Sequence, residues 1–143
     1  MTIILTSVDL AELAEALDAE GLPTIDLADP GCLFFRLADA EGTLGYAGLE
    51  GDGPDRLLRS LVTLPERRGI GNATRMLMAI EACAGSIGVE RLHLLTSTAA
   101  PFFYSVRYRD AERADAPSAI SQTREFTQLC PADAAYLVKN LDN

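Results

Sequence analysis

Apolar and polar positions alternate along some segments of the chain and recur at helical spacing along others, and the switches of period mark out the elements. Ile3 to Ser7 is a short apolar run that predicts a strand. Asp9-Leu-Ala-Glu12 has the spacing of a capping box, and Leu10, Leu13, Ala14 and Leu17 then share one helical face. Gly21 ends that helix and Pro23 is a further stop. Cys32 to Ala38 and Thr43 to Glu50 predict two strands, joined through the turn signal Asp39-Ala-Glu-Gly42. A second loop, Gly51-Asp-Gly-Pro-Asp55, leads into a long strand from Arg56 to Leu64. Its alternation sets Leu58, Ser60, Val62 and Leu64 on one face, opposite Leu57, Arg59, Leu61 and Thr63.

The second half repeats the alternation of types. Asn72 to Ser86 carries Ala73, Leu77, Ile80 and Ala84 near helical spacing, with Gly88 as the stop. RLHLLT, Arg91 to Thr96, is a compact strand. Thr98 to Val106 predicts a short helix, Tyr108 to Arg113 a strand, Pro117 to Phe126 a helical turn or two, and Ala134 to Asn140 a last strand. The expected order is β-α-β-β-β-α-β-α-β-(α)-β, an α/β chain with one mixed sheet and helices packed against it. No repeat, low-complexity tract or linker interrupts it, so residues 1–143 are expected to form one domain.

Charge changes this picture little in fold but much in function. The net charge is −9, from 12 Lys and Arg against 21 Asp and Glu, where a nucleic-acid binder shows a basic face. An acidic chain that binds an anion must build the site locally, which draws attention to Arg67, Arg68 and Arg75. Mean hydropathy is +0.11, yet no apolar run reaches the roughly 18 residues of a membrane span. The N-terminal segment lacks a basic start and meets acidic residues by Asp9, so the expectation is a mature cytoplasmic protein with neither membrane nor nucleic acid as partner. Cys32, Cys83 and Cys130 are odd in number and widely spaced, which argues against a disulfide framework. With one histidine, His93, they give no metal-ligand spacing.

The most informative stretch is PERRGIGNATRML, Pro65 to Leu77, lying between a strand and a helix. Helix N-termini present unpaired N–H groups and a partial positive charge, glycines permit unusual φ and close approach, and arginines add charge-assisted hydrogen bonds. Together these make a pyrophosphate cradle. It is not a P-loop, for no Gly-Lys-Ser/Thr is present; nor is it a dinucleotide fingerprint, for Thr74 stands where the third glycine belongs.

The spacing Arg68-x-x-Gly71-x-Ala73 after a strand ending V-x-x-P resembles the acetyl-CoA motif of the GNAT N-acetyltransferases. The likeness runs from about Leu33 to Arg109. It implies the GNAT fold, a mixed sheet whose fourth and fifth strands splay apart to admit the cofactor's arm. Carried over, Leu61, Val62 and Thr63 would meet the pantetheine, and Arg67, Arg68, Gly69, Ile70, Gly71, Asn72 and Ala73 the pyrophosphate, with Phe102 beside the cofactor. The implied reaction is attack of a primary amine on the thioester of acetyl-CoA, without a metal, aided by a backbone donor near Val62. The family's F-Y-x-x-x-G-F pattern reads Phe102-Phe103-Tyr104-Ser105-Val106-Arg107-Tyr108 here, so Phe103 takes the usual tyrosine position and Arg107 the glycine's. Tyr104 is then the candidate acid, Glu50 the candidate base, Ser60 a relay or substrate contact, and Arg59 the substrate's anion grip, ahead of Arg36, Arg113 and Arg124. His93 alternates with Leu92 and Leu94 and reads as structural.

LLRSLV, LLTSTAAPFF and PSAISQTREFTQLCP further resemble the small arsenic-resistance N-acetyltransferases. That likeness implies a small amino acid bearing an arsenic or phosphorus acid group as substrate. Two readings stand side by side: an N-acetyltransferase acting on a small anionic amine, and a GNAT-fold module that holds acetyl-CoA without efficient transfer, which Phe103 and Arg107 favour. A third, direct arsenic binding through the cysteines, requires the three sulfurs to converge. The apolar strand AAYLV is a candidate for pairing across subunits in a homodimer.

Overall fold

A computed structural model describes residues 3–22, 24–25, 27–69, 71–124, 126–127 and 133–141. Its strands are β1 (Ile4–Ser7), β2 (Cys32–Asp39), β3 (Gly42–Asp52), β4 (Asp55–Thr63), β5 (Arg91–Thr96), β6 (Arg109–Asp110) and β7 (Ala135–Asn140). Its helices are α1 (Leu10–Ala19), α2 (Asn72–Ser86), α3 (Ala100–Ser105) and α4 (Ser118–Ser121). The strands form one sheet in the order β1-β2-β3-β4-β5-β7-β6. All neighbours are antiparallel except β4 and β5, which run parallel because α2 carries the chain across between them.

Helices cover both faces. Met76, Leu77, Ile80 and Ala84 of α2 bury one stripe against Leu58, Leu92, Leu94 and Leu137 of the sheet, and Phe103 and Tyr108 close the same core. On the other face Leu13 and Leu17 of α1 pack on Phe34, Tyr46 and Val62, and Ile120 of α4 packs on Leu57 and Tyr136. The α1 face is narrower than its spacing predicts, for Leu10 is exposed. Its capping box is also half made. The Asp9 side chain accepts from the Ala11 N–H at 3.1 Å, but Glu12 turns away to accept from Arg36 and Tyr46.

Two expectations shift. The predicted strand over Tyr108 to Arg113 is the two-residue β6 followed by a 3-10 turn at Arg113–Asp115. The stretch after Pro117 holds the helical turns expected of it, α4 and then helical residues at 124 and 126–127. The simple alternation along β4 fails: Leu58 faces α2, but Val62, four residues on, faces α1. The register shows why, since Gly48 pairs with Arg59 and Tyr46 with Val62, leaving Ser60 and Leu61 opposite Ala47 alone. This is a β-bulge, and one extra residue inverts the phase of everything after it. β7 lies between β5 and β6 in the sheet, with β6 covering it at Leu137 and Val138. Among the described residues no helix is long and apolar enough to cross a membrane.

Candidate functional site

The site starts from a sheet that comes apart. β4 pairs with β5 only through Asp55, Arg56 and Leu57, opposite Arg91, Leu92 and His93. Beyond Leu57 the two strands diverge, and among the described residues no strand pairs with β4 on that side from Leu58 to Thr63. A strand edge inside a sheet leaves N–H and C=O groups that need partners. The bulge sits in this stretch, and it holds Ser60 at φ 58°, a conformation that L side chains adopt at a cost. The gap is a cleft of about 460 Å³, walled by Leu58 to Thr63 on one side, Leu94 to Thr96 on the other, and by Phe103 of α3. It therefore gathers Arg59, Ser60, Leu61, Val62, Thr63, Arg68 and Ala73 from the residues singled out by sequence. Glu20 and Leu22, from the loop after α1, also line it; nothing in their spacing marks them.

At the open end stands the glycine loop. A 3-10 turn, Pro65–Arg67, delivers the chain to Gly71, which caps α2 at φ 78°. Gly69 has φ 86°. A Cβ at either glycine would meet nothing within 4 Å, so backbone conformation demands glycine here and the space in front stays open for a ligand. Ile70 lies outside the described residues. Asn72 is buried and donates from its amide to the Arg67 carbonyl at 2.6 Å, which folds the loop back on itself. An open, glycine-capped N-terminus beside a bare strand edge suits a ligand that carries both phosphates and an amide-bearing arm.

The three arginines divide. Arg67 turns away from the cleft, donating to Asp39 at 2.8 Å and to the carbonyls of Gly42 and Thr43 at 3.3 Å. Arg75 donates to Asn72 at 2.7 Å and to Asp39 at 3.2 Å. Arg68 alone lines the cleft; it is half exposed and paired with Glu20 across the mouth. The expectation that Arg67 meets the pyrophosphate is thus corrected: its guanidinium is held by the β2–β3 hairpin.

The proposed chemical residues also separate. Arg59 is buried, donates to Glu50 at 2.9 Å and to the Ser60 hydroxyl at 3.3 Å, and lies over the Phe34 ring at 5.6 Å. Arg59 and Ser60 line the cleft, whereas Glu50 is buried behind Arg59 and does not line it, so Arg59 is not an open grip and Glu50 reaches the cleft only through its pair with Arg59. Tyr104 is corrected more sharply. It is exposed, its hydroxyl donates to Asp110 at 2.6 Å, and it is not part of the cleft wall. That hydrogen bond pushes its phenol pKa up. The residue before it, Phe103, takes the place on the wall. Phe102 packs edge-on against Phe103 with ring centroids 5.1 Å apart.

The remaining candidates lie elsewhere. His93 is buried between Asp55 and Tyr136, each 2.7 Å from a ring nitrogen. Because the carboxylate can only accept, the proton sits on Nε2 and Tyr136 donates to Nδ1. Arg91 grips the same carboxylate at 2.6 and 2.9 Å and holds the Asp55 pKa below the usual range. Arg36 holds Glu12, Arg113 donates to the Ala134 carbonyl, and Arg124 pairs with Asp29. Cys32 and Cys83 stand on β2 and α2, and Cys130 lies outside the described residues. A broader groove of about 1110 Å³ runs along α2 and α3, with Arg109, Lys139 and Asn140 of the β6 and β7 ends on its rim.

Sequence comparison returns no matching family model and no matching curated protein. Solved structures do match. N-acetylglutamate synthase from Neisseria gonorrhoeae, complexed with coenzyme A and N-acetyl-glutamate, superposes over 100% of this chain with a TM-score of 0.77 at 18% identity. The chain spans about a third of that protein, 36% of its length. A GNAT-family acetyltransferase from Staphylococcus aureus Mu50 matches 99% of this chain and 100% of its own, with a TM-score of 0.69 at 16% identity. PaiA N-acetyltransferase from Thermoplasma acidophilum, in complex with coenzyme A, covers 98% of this chain and 99% of its own, with a TM-score of 0.65 at 12% identity. The fold is the GNAT acetyltransferase fold.

Proposed function

We propose that the chain is an acetyl-CoA-dependent N-acetyltransferase acting on the primary amine of a small molecule. The parting of β4 from β5 carries this reading: half a strand of backbone hydrogen-bonding groups is left bare and leads straight to a glycine-capped helix N-terminus. A pantetheine arm, with its amides, is a ligand that can satisfy a strand edge as a neighbouring strand would. Solved structures of this fold that hold coenzyme A support the choice.

Acetyl-CoA supplies an acetyl group activated as a thioester; the chain does the rest. Leu61, Val62 and Thr63 hold the arm by backbone. The α2 N-terminus and Arg68 hold the phosphates, and Phe103 excludes water from one wall. The Ser60 hydroxyl accepts from Arg59, which leaves its proton free to donate to a substrate group. Glu50 is the candidate base, acting from within its pair with Arg59. Protonation of the leaving thiolate falls to solvent, because Tyr104 is turned to Asp110.

The finer reading, a substrate amine that also carries an arsenic or phosphorus acid group, rests on the subgroup resemblance of LLRSLV and LLTSTAAPFF. Such an acid group would have to share Arg59 with Glu50. A second reading, an acetyl-CoA-binding module with weak transfer, is favoured by one observation: the cleft wall carries Phe103 where a hydroxyl donor would serve.

Calorimetric titration with acetyl-CoA, followed by thiol release against a panel of amino acids including arsonic and phosphinic analogues, separates the two. Binding with release on one amine supports the enzyme, and binding without release on any supports the module. Arg68→Ala is expected to weaken acetyl-CoA binding by about ten- to 150-fold, the worth of about 1.5 to 3 kcal/mol for a charge-assisted contact. An unchanged affinity would show that the phosphates lie elsewhere.

A further inference from the structure

Asp39 ends β2 and begins the turn to β3, and its spacing marks it only as a turn residue. Its Oδ1 does the expected turn work, accepting from the Glu41 N–H at 2.9 Å. Its Oδ2 does something the turn does not need. It accepts from Arg67 at 2.8 Å and from Arg75 at 3.2 Å, and the carboxylate is wholly removed from solvent. These two arginines lie 28 and 36 residues away in the chain, on either side of the glycine loop. The ring then closes, since Arg75 donates to the Asn72 side chain at 2.7 Å and Asn72 donates to the Arg67 carbonyl at 2.6 Å. Asp39, Arg67, Asn72 and Arg75 thus form one circuit around the base of Arg68, Gly69 and Gly71, with none of its four members supplied by the cleft wall.

We propose that Asp39 is a positioning residue for phosphate binding: it locks the glycine loop into its ligand-ready shape before acetyl-CoA arrives. The inference rests on the function proposed above. The physical need is plain from the loop's own conformations. Gly69 and Gly71 both sit at positive φ with no side chain packed in front of them; their carbonyls accept from the Asn72 and Arg75 N–H groups at 3.2 and 3.1 Å, which ties the loop to α2 but not to the rest of the sheet. Glycine has more backbone freedom to lose than any other residue, and a loop that must be ordered by its ligand binds that ligand more weakly. The circuit fixes both ends of the loop instead. The same circuit explains why the chain needs Arg67 and Arg75 although neither lines the cleft: they are fasteners, and Arg68 between them is left for the ligand.

The opposite outcome has a physical basis too, which makes the test sharp. If Asp39 merely neutralised two arginines near the site, removing its charge would free them for phosphate and tighten binding. The experiment compares wild type, Asp39→Asn and Arg75→Met by calorimetric titration with acetyl-CoA and by hydrogen exchange of the unliganded proteins. Positioning predicts acetyl-CoA affinity about tenfold weaker in Asp39→Asn, the lower end of what losing an outer support costs a bound group. It also predicts faster amide exchange confined to residues 67–73, with α1 and β5 unchanged. Arg75→Met removes one arm only and should move both readouts the same way by less; it decides the matter if Asp39→Asn does not fold. Equal or tighter binding in the variants overturns the proposal, as does faster exchange spread over the whole sheet. Failure of the wild type to bind acetyl-CoA would overturn the proposed function itself.

Discussion

Adding one methyl group at Gly45 tests the link between the sheet's core and the cleft. Gly45 pairs with Thr63, beside the cleft segment of β4. A Cβ there would stand 1.9 Å from the Val62 carbonyl oxygen and 2.8 Å from the Met76 terminal methyl, where real Cβ contacts stay beyond 3.0 Å. Met76 can rotate away; a backbone carbonyl cannot. Relief requires β3 and β4 to part by about an ångström at Val62, against the packing of α2 on one face and α1 on the other. Overpacking a filled core costs about 1–3 kcal/mol when side chains can yield, so a backbone clash belongs at or above the top of that range. For a chain of this size, about 3 kcal/mol lowers the melting temperature by roughly 10 °C. Gly53→Ala is the control. Gly53 has φ 80° and open space around it, so alanine there costs only the left-handed backbone penalty of about 1–2 kcal/mol. Urea unfolding of both variants, with acetyl-CoA titration of whichever folds, reads the difference. Gly45→Ala should be the less stable by more than about 1 kcal/mol and should bind acetyl-CoA more weakly, because the segment displaced is the one proposed to hold the arm. Equal unfolding midpoints for the two variants would refute the reasoning.

Tyr104→Phe should leave the turnover rate and its pH profile unchanged, because its hydroxyl is engaged by Asp110 outside the cleft; a tenfold loss in steady-state rate would restore it as the general acid. Stability should fall between pH 7.5 and pH 5. Burial pushes the His93 pKa below its ordinary value, against the opposing pull of Asp55. The unfolded chain therefore takes up a proton near pH 6.5 that the folded chain refuses, so the contribution of His93 is present above that pH and is lost as pH falls toward the folded value. The depressed Asp55 carboxyl acts only lower, near and below pH 4. His93 is the one histidine in the chain, so thermal melts of His93→Gln should be flat over this window; a wild type that melts higher at pH 5 than at pH 7.5 would overturn the assignment.

The elements were legible where side chains repeat with one period against one neighbour. The stripe through Leu77, Ile80 and Ala84 and the compact RLHLLT strand lie where their spacing predicts. The alternation along β4 was legible but misleading, because the bulge at Ser60 and Leu61 inserts a residue without changing the hydrophobic pattern around it. Gly45 and Gly48 fall inside the predicted strand with no signal of their own, yet each is small because something lies where its Cβ would be: the Val62 carbonyl in one case, the Phe34 ring at 2.5 Å in the other. The position of Glu20 at the cleft mouth and the turning of Tyr104 to Asp110 both depend on where a loop or helix end comes to rest. Local spacing carries no information about that.

The arginines show most clearly how such information is lost. A cluster of Arg67, Arg68 and Arg75 in an acidic chain reads as local positive charge for an anion. In the fold, Arg67 and Arg75 share the Asp39 carboxylate, Glu41 approaches Arg67 at 3.7 Å, and Arg68 meets Glu20. Three cations thus stand among three carboxylates, and the neighbourhood has no net charge to offer. Attraction for a phosphate must then come from the oriented N–H groups at the start of α2, with Arg68 free to exchange Glu20 for the ligand. An exposed pair of that kind holds by about 1 kcal/mol or less, so the exchange is easy. The Asp39 pairs exchange less readily, since the carboxylate is enclosed between its two partly exposed arginines. What distinguishes the binding arginine from the fastening ones is therefore the solvent exposure of its carboxylate partner, a property of the folded chain that the order of residues from Pro65 to Leu77 does not carry.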